Sequence, residues 1–155
     1  MEIIYEKAGK DDIPKLTRFR LDYLEEDIGG VKEDERDIIE ERLPIYYSEH
    51  LNKDFHVYLA RNGEIVGCCF LLVTEKPANP SFINGLTGTV LNVYVKPEYR
   101  RHGIAKKMLE NLLKDAKDMG LDYVELKSTE DGHELYKSLG FEDDVSKYYR
   151  MKKVL

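Results

Sequence analysis

Arg100, Arg101, His102, Lys106 and Lys107 crowd around one glycine, Gly103, in a chain that is otherwise acidic. Leu91 to Met108 reads as a strand closed by Pro97, a tight basic loop, and then an amphipathic helix. A helix N-terminus presents unpaired N–H groups and the positive end of its dipole, which together favour an anion. Gly103 would let backbone approach an oxyanion closely, and Ala105 keeps the first turn narrow. A diphosphate or similar anion suits this local reversal of charge. The alternative is an ordinary strand-to-helix turn carrying solvated Lys and Arg. No Gly-Lys-Ser/Thr follows, so the loop is not a Walker A, and Gly-x-Gly-x-x-Gly is absent.

Other reactive residue types are less informative. Cys68 and Cys69 are adjacent in an apolar run, where neighbours on a strand point to opposite faces and are poorly placed to bridge each other. They read as buried strand residues. His50, His56, His102 and His133 are scattered and no Cys-x-x-Cys exists, so no metal is expected.

The elements that must position the basic loop follow from periodicity. Ile3 to Glu6 reads as a strand, and Asp11-Asp12-Ile13-Pro14 opens a helix with Ile13, Leu16, Arg20, Tyr23 and Leu24 on one face, stopped by Gly29-Gly30. A second helix is expected over Glu33 to Ser48, with Ile38, Ile39, Leu43 and Tyr46 on a face and Pro44 kinking or splitting it. Phe55 to Ala60, Asn62-Gly63 and Ile65 to Val73 form a hairpin pattern. After an irregular loop, Glu75 to Gly88, comes the strand Thr89 to Val95. The next helix carries the stripe Ala105, Met108, Leu109, Leu112, Ala116 and Met119 and stops at Gly120. Leu121 to Lys127 is expected as a strand, Gly132 to Ser138 as a short helix, and Val145 to Val154 as a final strand. The order predicts a mixed α/β domain, residues 1–155, around one twisted sheet.

Composition bounds the function class. The 155 residues include 30 acidic and 24 basic ones, for a net charge of −6. This balance, with a pI near 5.3, does not suit a nucleic-acid binder that depends on phosphate contacts. No apolar run approaches the roughly 18 residues of a membrane span, and the first residues carry no secretory pattern, so the expectation is a cytoplasmic protein without a membrane partner.

Two motifs carry a family resemblance. Arg100-x-x-Gly103-x-Ala105, after a strand ending Val95-x-Pro97-x-Tyr99, resembles the acetyl-CoA signature of the GNAT superfamily of N-acyltransferases. Leu135-Tyr136-Lys137-Ser138-Leu139-Gly140-Phe141 is similar to that family's C-terminal Leu-Tyr-x-x-x-Gly-Phe block. The resemblance implies a GNAT-like fold, a central twisted and mostly antiparallel sheet with splayed central strands and about four flanking helices. It implies acetyl-CoA as co-substrate, with the backbone of Val93, Tyr94 and Val95 holding the pantetheine arm as an added strand. Arg100 and the amides of Arg101, His102, Gly103, Ile104, Ala105 and Lys106 would hold the pyrophosphate. Tyr136 matches the tyrosine that protonates the departing thiolate, and Thr129 stands where many members carry an asparagine against the cofactor. Direct attack by a small-molecule or peptide amine is implied, and since family members are often dimers, a homodimer is an open expectation.

One departure concerns the base. Members with a glutamate base on the central strand place it where this chain has Leu91-Asn92. Asn92 cannot accept the proton; it could orient a water or an amine, or it could simply mark a strand bulge. Candidate carboxylates lie in Tyr23-Leu24-Glu25-Glu26-Asp27, in Glu75 and in Glu130. From Asp22 to Arg42 there are ten acidic residues against three basic ones, which suits either a cationic acceptor or two solvated helix faces. On the first reading, reversing Glu25 and Glu26 to Lys raises the acceptor KM and leaves acetyl-CoA binding unchanged. The alternative to an enzyme is a CoA-binding sensor or interaction module.

Overall fold

The computed structural model describes residues 1–155, the side chain of Ile28 excepted. A five-stranded sheet runs in the order β1 (Ile4–Lys7), β2 (Phe55–Asn62), β3 (Glu64–Glu75), β4 (Leu86–Val95) and β5 (Tyr123–Glu125). Every neighbouring pair is antiparallel except β4 and β5, which are parallel and joined through a helix. Helices α1 (Ile13–Ile28) and α2 (Glu33–His50) cover one face; α3 (Ile104–Asp118) covers the other, and α4 (His133–Ser138) follows β5. Among the described residues no helix is long and apolar enough to cross a membrane.

Both faces of the central strands are buried. Val57, Leu59, Cys68 and Phe70 pack with Leu16, Phe19 and Tyr47 of the first two helices. Their alternates, Tyr58, Ala60, Cys69 and Leu71, meet the α3 stripe of Met108, Leu109, Leu112 and Ala116. The two cysteines therefore lie in different layers and stay free. The Asn62-Gly63 turn closes the expected hairpin, with Gly63 at φ 76°. Within it, Ala60 opposes Gly67 while Arg61 opposes Ile65, so Val66 is an extra residue. Its carbonyl accepts from the Lys96 amide at 2.8 Å and anchors the end of β4.

Several expected elements differ. Pro44 does not split α2, which runs from Glu33 to His50 with the proline inside it. The bond Pro44 cannot make falls to the carbonyl of exposed Glu40, where water can replace it, while buried Tyr47 holds the helix to the sheet. Ile38, expected on the buried face, is exposed. The strand expected over Leu121 to Lys127 contracts to Tyr123–Glu125, because only Thr87 to Thr89 of β4 pairs with it. Gly88 permits the approach: a Cβ there would sit 2.9 Å from Leu121 Cδ1 and 2.7 Å from Leu71 Cδ1. The final strand, Val145 to Val154, does not form; the chain beyond Gly140 runs without regular structure. A strand needs a partner edge, and this segment meets none in its own chain.

Candidate active site

Beyond Thr89, β4 continues to Val95 with nothing paired on the β5 side, so the two strands part and leave a row of backbone groups facing a cleft. On the other side a bulge re-aims this row. Cys68 opposes Tyr94 and Phe70 opposes Leu91, which gives β4 one residue too many, and Asn92 takes φ 53°. Asn92 is buried. Its Oδ1 accepts from Arg20 Nη1 at 2.8 Å and its Nδ2 donates toward Cys68 Sγ at 3.3 Å. The amide is committed to the protein and props the bulge open. The strand bulge read for Asn92 is present, and Asn92 also lines the cleft beside β4.

The basic loop follows through a short 3₁₀ turn, Pro97–Tyr99. Arg101 at φ 66° and Gly103 at φ 76° turn the chain into α3. Among the described residues the amides of Arg101, His102 and Gly103 bond to no backbone carbonyl, and the first-turn amides of α3 have no carbonyl four residues back. A Cβ on Gly103 would meet nothing within 4 Å, so the space in front of these donors is open. That space is a cavity of about 490 Å³ bounded by Val93 to Val95, Arg100, Arg101, Gly103 to Lys106, Thr129 and Tyr136. Arg100 lines it without offering its charge. Its Nε donates to Val95 O at 2.8 Å, its Nη2 to Glu26 Oε1 at 2.7 Å, and its guanidinium lies over the Tyr94 ring. His102 is likewise turned back, with Nδ1 3.2 Å from Tyr99 O. Open backbone amides, with Arg101 and Lys106 beside them, therefore line the cavity at the start of α3.

Tyr136 stands where this cavity meets a larger cleft that also takes in Tyr23, Asp27, Leu91 and Asn92. Gly132 makes room for it, since a Cβ there would lie 3.1 Å from Tyr136 Cε2. Phe141 meets the ring edge-on at 5.9 Å. Burial, above all, pushes the phenol up to about 12, so it keeps its proton across the working pH range. Its hydroxyl has no protein partner among the described residues.

The model of the Acetyltransferase (GNAT) family matches residues 18–141, from α1 through Phe141. The chain belongs to the GNAT family. A predicted acetyltransferase from Clostridium acetobutylicum, solved with acetyl-CoA, is 26% identical with a TM-score of 0.83 over 97% of this chain and 96% of that one. A GCN5-related N-acetyltransferase from Ralstonia eutropha JMP134 is 20% identical, with a TM-score of 0.77 over 97% of this chain and 99% of that one. A possible acetyltransferase from Clostridium difficile 630 is 19% identical, with a TM-score of 0.74 over the whole of both chains. Among curated proteins none matches the chain. GNAT enzymes transfer acetyl groups from acetyl-CoA, and the open amides before α3, the unpaired edge of β4 and the cavity between them fit its pyrophosphate and pantetheine.

As a GNAT acetyltransferase, the chain must also present an acceptor, and the acids of α1 divide by role. Glu25 pairs with Arg36 at 3.0 Å. Glu26 is held below the usual carboxylate range by hydrogen bonding from the Tyr94 hydroxyl and then from Arg100. Asp27 lines the same large cleft as Asn92 and Tyr136, and burial followed by this carboxylate pushes the Tyr23 hydroxyl up. Glu75 pairs opposite Leu86, six residues along β4 from Asn92, or about 20 Å at strand spacing. Glu130 is exposed on the loop before α4.

These pairings change the expected outcome of charge reversal. Glu26→Lys places an ammonium beside Arg100 and frees the basic loop, so the acetyl-CoA KM should rise several-fold. Glu25→Lys should leave it within about twofold, as exposed pairs contribute little. Steady-state kinetics with acetyl-CoA varied separates the two. Arg20 and the Tyr94–Glu26–Arg100 staple escaped sequence reasoning, since each joins residues far apart in the chain.

Proposed function

We propose that this GNAT acetyltransferase is a cytoplasmic N-acetyltransferase, a single domain over residues 1–155. It moves acetyl from acetyl-CoA to a primary amine by direct attack within a ternary complex. The acceptor is a cationic small molecule or the lysine of a peptide. The observation that supports this most is the position of Tyr136, at the junction of the acetyl-CoA cavity with a cleft that presents Asp27.

An aliphatic amine near pKa 10 enters protonated and must lose a proton before it can attack. Asp27, directly or through one water, takes that proton, and the carboxylate also attracts the cation. Acetyl-CoA supplies an activated acyl carbon on a sulfur leaving group. The amine nitrogen forms the new C–N bond as the C–S bond breaks, and the electron pair of that bond leaves on sulfur. The parted backbone of β4 orients the acyl group. A thiol near 8.5 binds its proton more weakly than a phenol at about 12, so outright transfer from Tyr136 would cost about 5 kcal/mol. Tyr136 therefore serves as a hydrogen-bond donor to the departing sulfur, which takes its proton from solvent.

The test is release of CoA thiol from acetyl-CoA across polyamines, aminoglycosides, free amino acids and basic peptides. Turnover with a polycation is expected, and Asp27→Asn should lower its kcat/KM by about 10²-fold with acetyl-CoA binding unchanged. Silence from a protein that binds acetyl-CoA would favour the sensor reading, which the committed amide of Asn92 and the absence of a β4 carboxylate already support.

A further inference from the structure

We propose that Arg20 is a positioning residue for acetyl transfer: from behind the cleft wall it holds the β4 bulge through Asn92 and the base side of the cleft through Tyr23. This inference rests on the acetyl-transfer reading, with Asp27 as base, and adds a residue that reading does not use.

Arg20 occupies an unusual place for a cation. It is half-buried on the sheet-facing side of α1. Its guanidinium lies over two rings, 5.7 Å from the centroid of Phe70 and 5.5 Å from that of Tyr23. Among the described residues no carboxylate pairs with it. A cation drawn from water without a counter-ion costs free energy unless dipoles replace the lost hydration. Here the two rings and one amide do so, Nη1 donating to Asn92 Oδ1 at 2.8 Å. The bond goes to Asn92 although Tyr47 Oη, in the same layer, is buried without a partner among the described residues. A planar guanidinium can stack on rings and donate sideways at once, which an ammonium cannot.

Two lines of contact lead from Arg20 to the reacting groups. The first is Asn92, buried at φ 53°, a left-handed conformation that residues other than glycine seldom adopt. The bond from Arg20 and the bond toward Cys68 Sγ at 3.3 Å fix its side chain at both polar atoms. They hold the bulge against a return to regular pairing. Val93 follows directly and begins the stretch along which the pantetheine runs, so a slip of the bulge moves the thioester.

The second line is Tyr23, one turn along α1 from Arg20, with Asp27 one turn further on the same face. Tyr23 and Asp27 both line the cleft, and Tyr94 of β4 meets the Tyr23 ring edge-on at 5.8 Å. Burial and then the Asp27 carboxylate raise the pKa of the Tyr23 hydroxyl, as neighbouring groups would. Arg20 lines neither the cleft nor the acetyl-CoA cavity, so it acts through Asn92 and Tyr23 and not on the substrate. It ties the strand that orients the acyl carbon to the helix that carries the base. A misplacement of about 1 Å between such groups can cost 10²-fold in rate.

The test follows CoA thiol release with the panel amine that wild type turns over fastest, beside calorimetric titration of acetyl-CoA and a melting curve. Arg20→Met fills the space of the stem and keeps contact with both rings, so the fold should survive. Its kcat should fall about 30-fold, with the acetyl-CoA dissociation constant within about twofold and the melting temperature nearly unchanged. Arg20→Lys can still donate to Asn92 and should recover part of the loss. Asn92→Ala should cost less than Arg20→Met, because Tyr23 stays braced, and the double variant should match Arg20→Met alone. Equal kcat in Arg20→Met and wild type would overturn the proposal, as would additive losses in the double variant. Parallel losses of kcat, affinity and melting temperature would overturn it too, since they mark a merely structural role. Wild-type silence with every amine, from a protein that binds acetyl-CoA, would instead remove the acetyl-transfer reading and this inference with it.

Discussion

Tyr136→Phe is expected to lower kcat by about 10²-fold or more while the dissociation constant for acetyl-CoA stays within about twofold. The ring would remain in place, since Gly132 and Phe141 contact carbon atoms. Only the hydroxyl is lost, and it bonds to no protein group among the described residues, so stability should hardly change. A donor that meets charge developing on sulfur acts in the transition state and not in the ground state, so the loss belongs in kcat. Because the phenol sits at about 12, the wild-type rate should show no alkaline fall from Tyr136 below about pH 11. Equal turnover by the two proteins would remove Tyr136 from the chemistry. A matched fall in acetyl-CoA affinity would make it a binding residue instead.

Gly103→Val is the second large effect, and it falls on affinity. At φ 76° a β-branched residue is strained by roughly 1–3 kcal/mol, a cost a domain of this size can absorb. No protein atom lies within 4 Å of the added Cβ, so the fold does not clash with it. The new methyl groups instead occupy the open space before the amides of α3, which the pyrophosphate needs. Acetyl-CoA binding should weaken at least tenfold, with Gly103→Ala intermediate, as read by calorimetric titration alongside a melting curve. Unchanged affinity in a folded Gly103→Val protein would mean that the anion does not bind at this helix start.

Local pattern carried the sequence reading a long way. The α3 stripe, the Asn62-Gly63 hairpin and the loop around Gly103 are set by residues within a turn or two of one another. The separation of Cys68 and Cys69 into different layers needed only strand alternation. What escaped was set by distant contacts. Arg20 sat on the predicted inner face of the first helix with no hint that it would meet Asn92, 72 residues away. Ile38 and Tyr47 both suit a helix face, and only the sheet's position chose Tyr47. Glu26 looked like one of ten equivalent acids until Arg100 and Tyr94 reached it. The sequence of the C-terminal arm has strand character, but a strand is a property of two edges, and a single sequence shows only one.

The burial of Cys68 and Cys69 has a practical side. Both thiols are closed off from solvent, and burial raises their pKa, so little reactive thiolate forms at neutral pH. A disulfide reagent added to the native enzyme would then report free CoA with almost no background from the protein. By the same logic, peroxide at the concentrations that silence exposed cysteines reaches exposed Met1 and Met151 but leaves both thiols untouched until the sheet itself opens, so appearance of reagent-accessible thiol becomes a clock for unfolding.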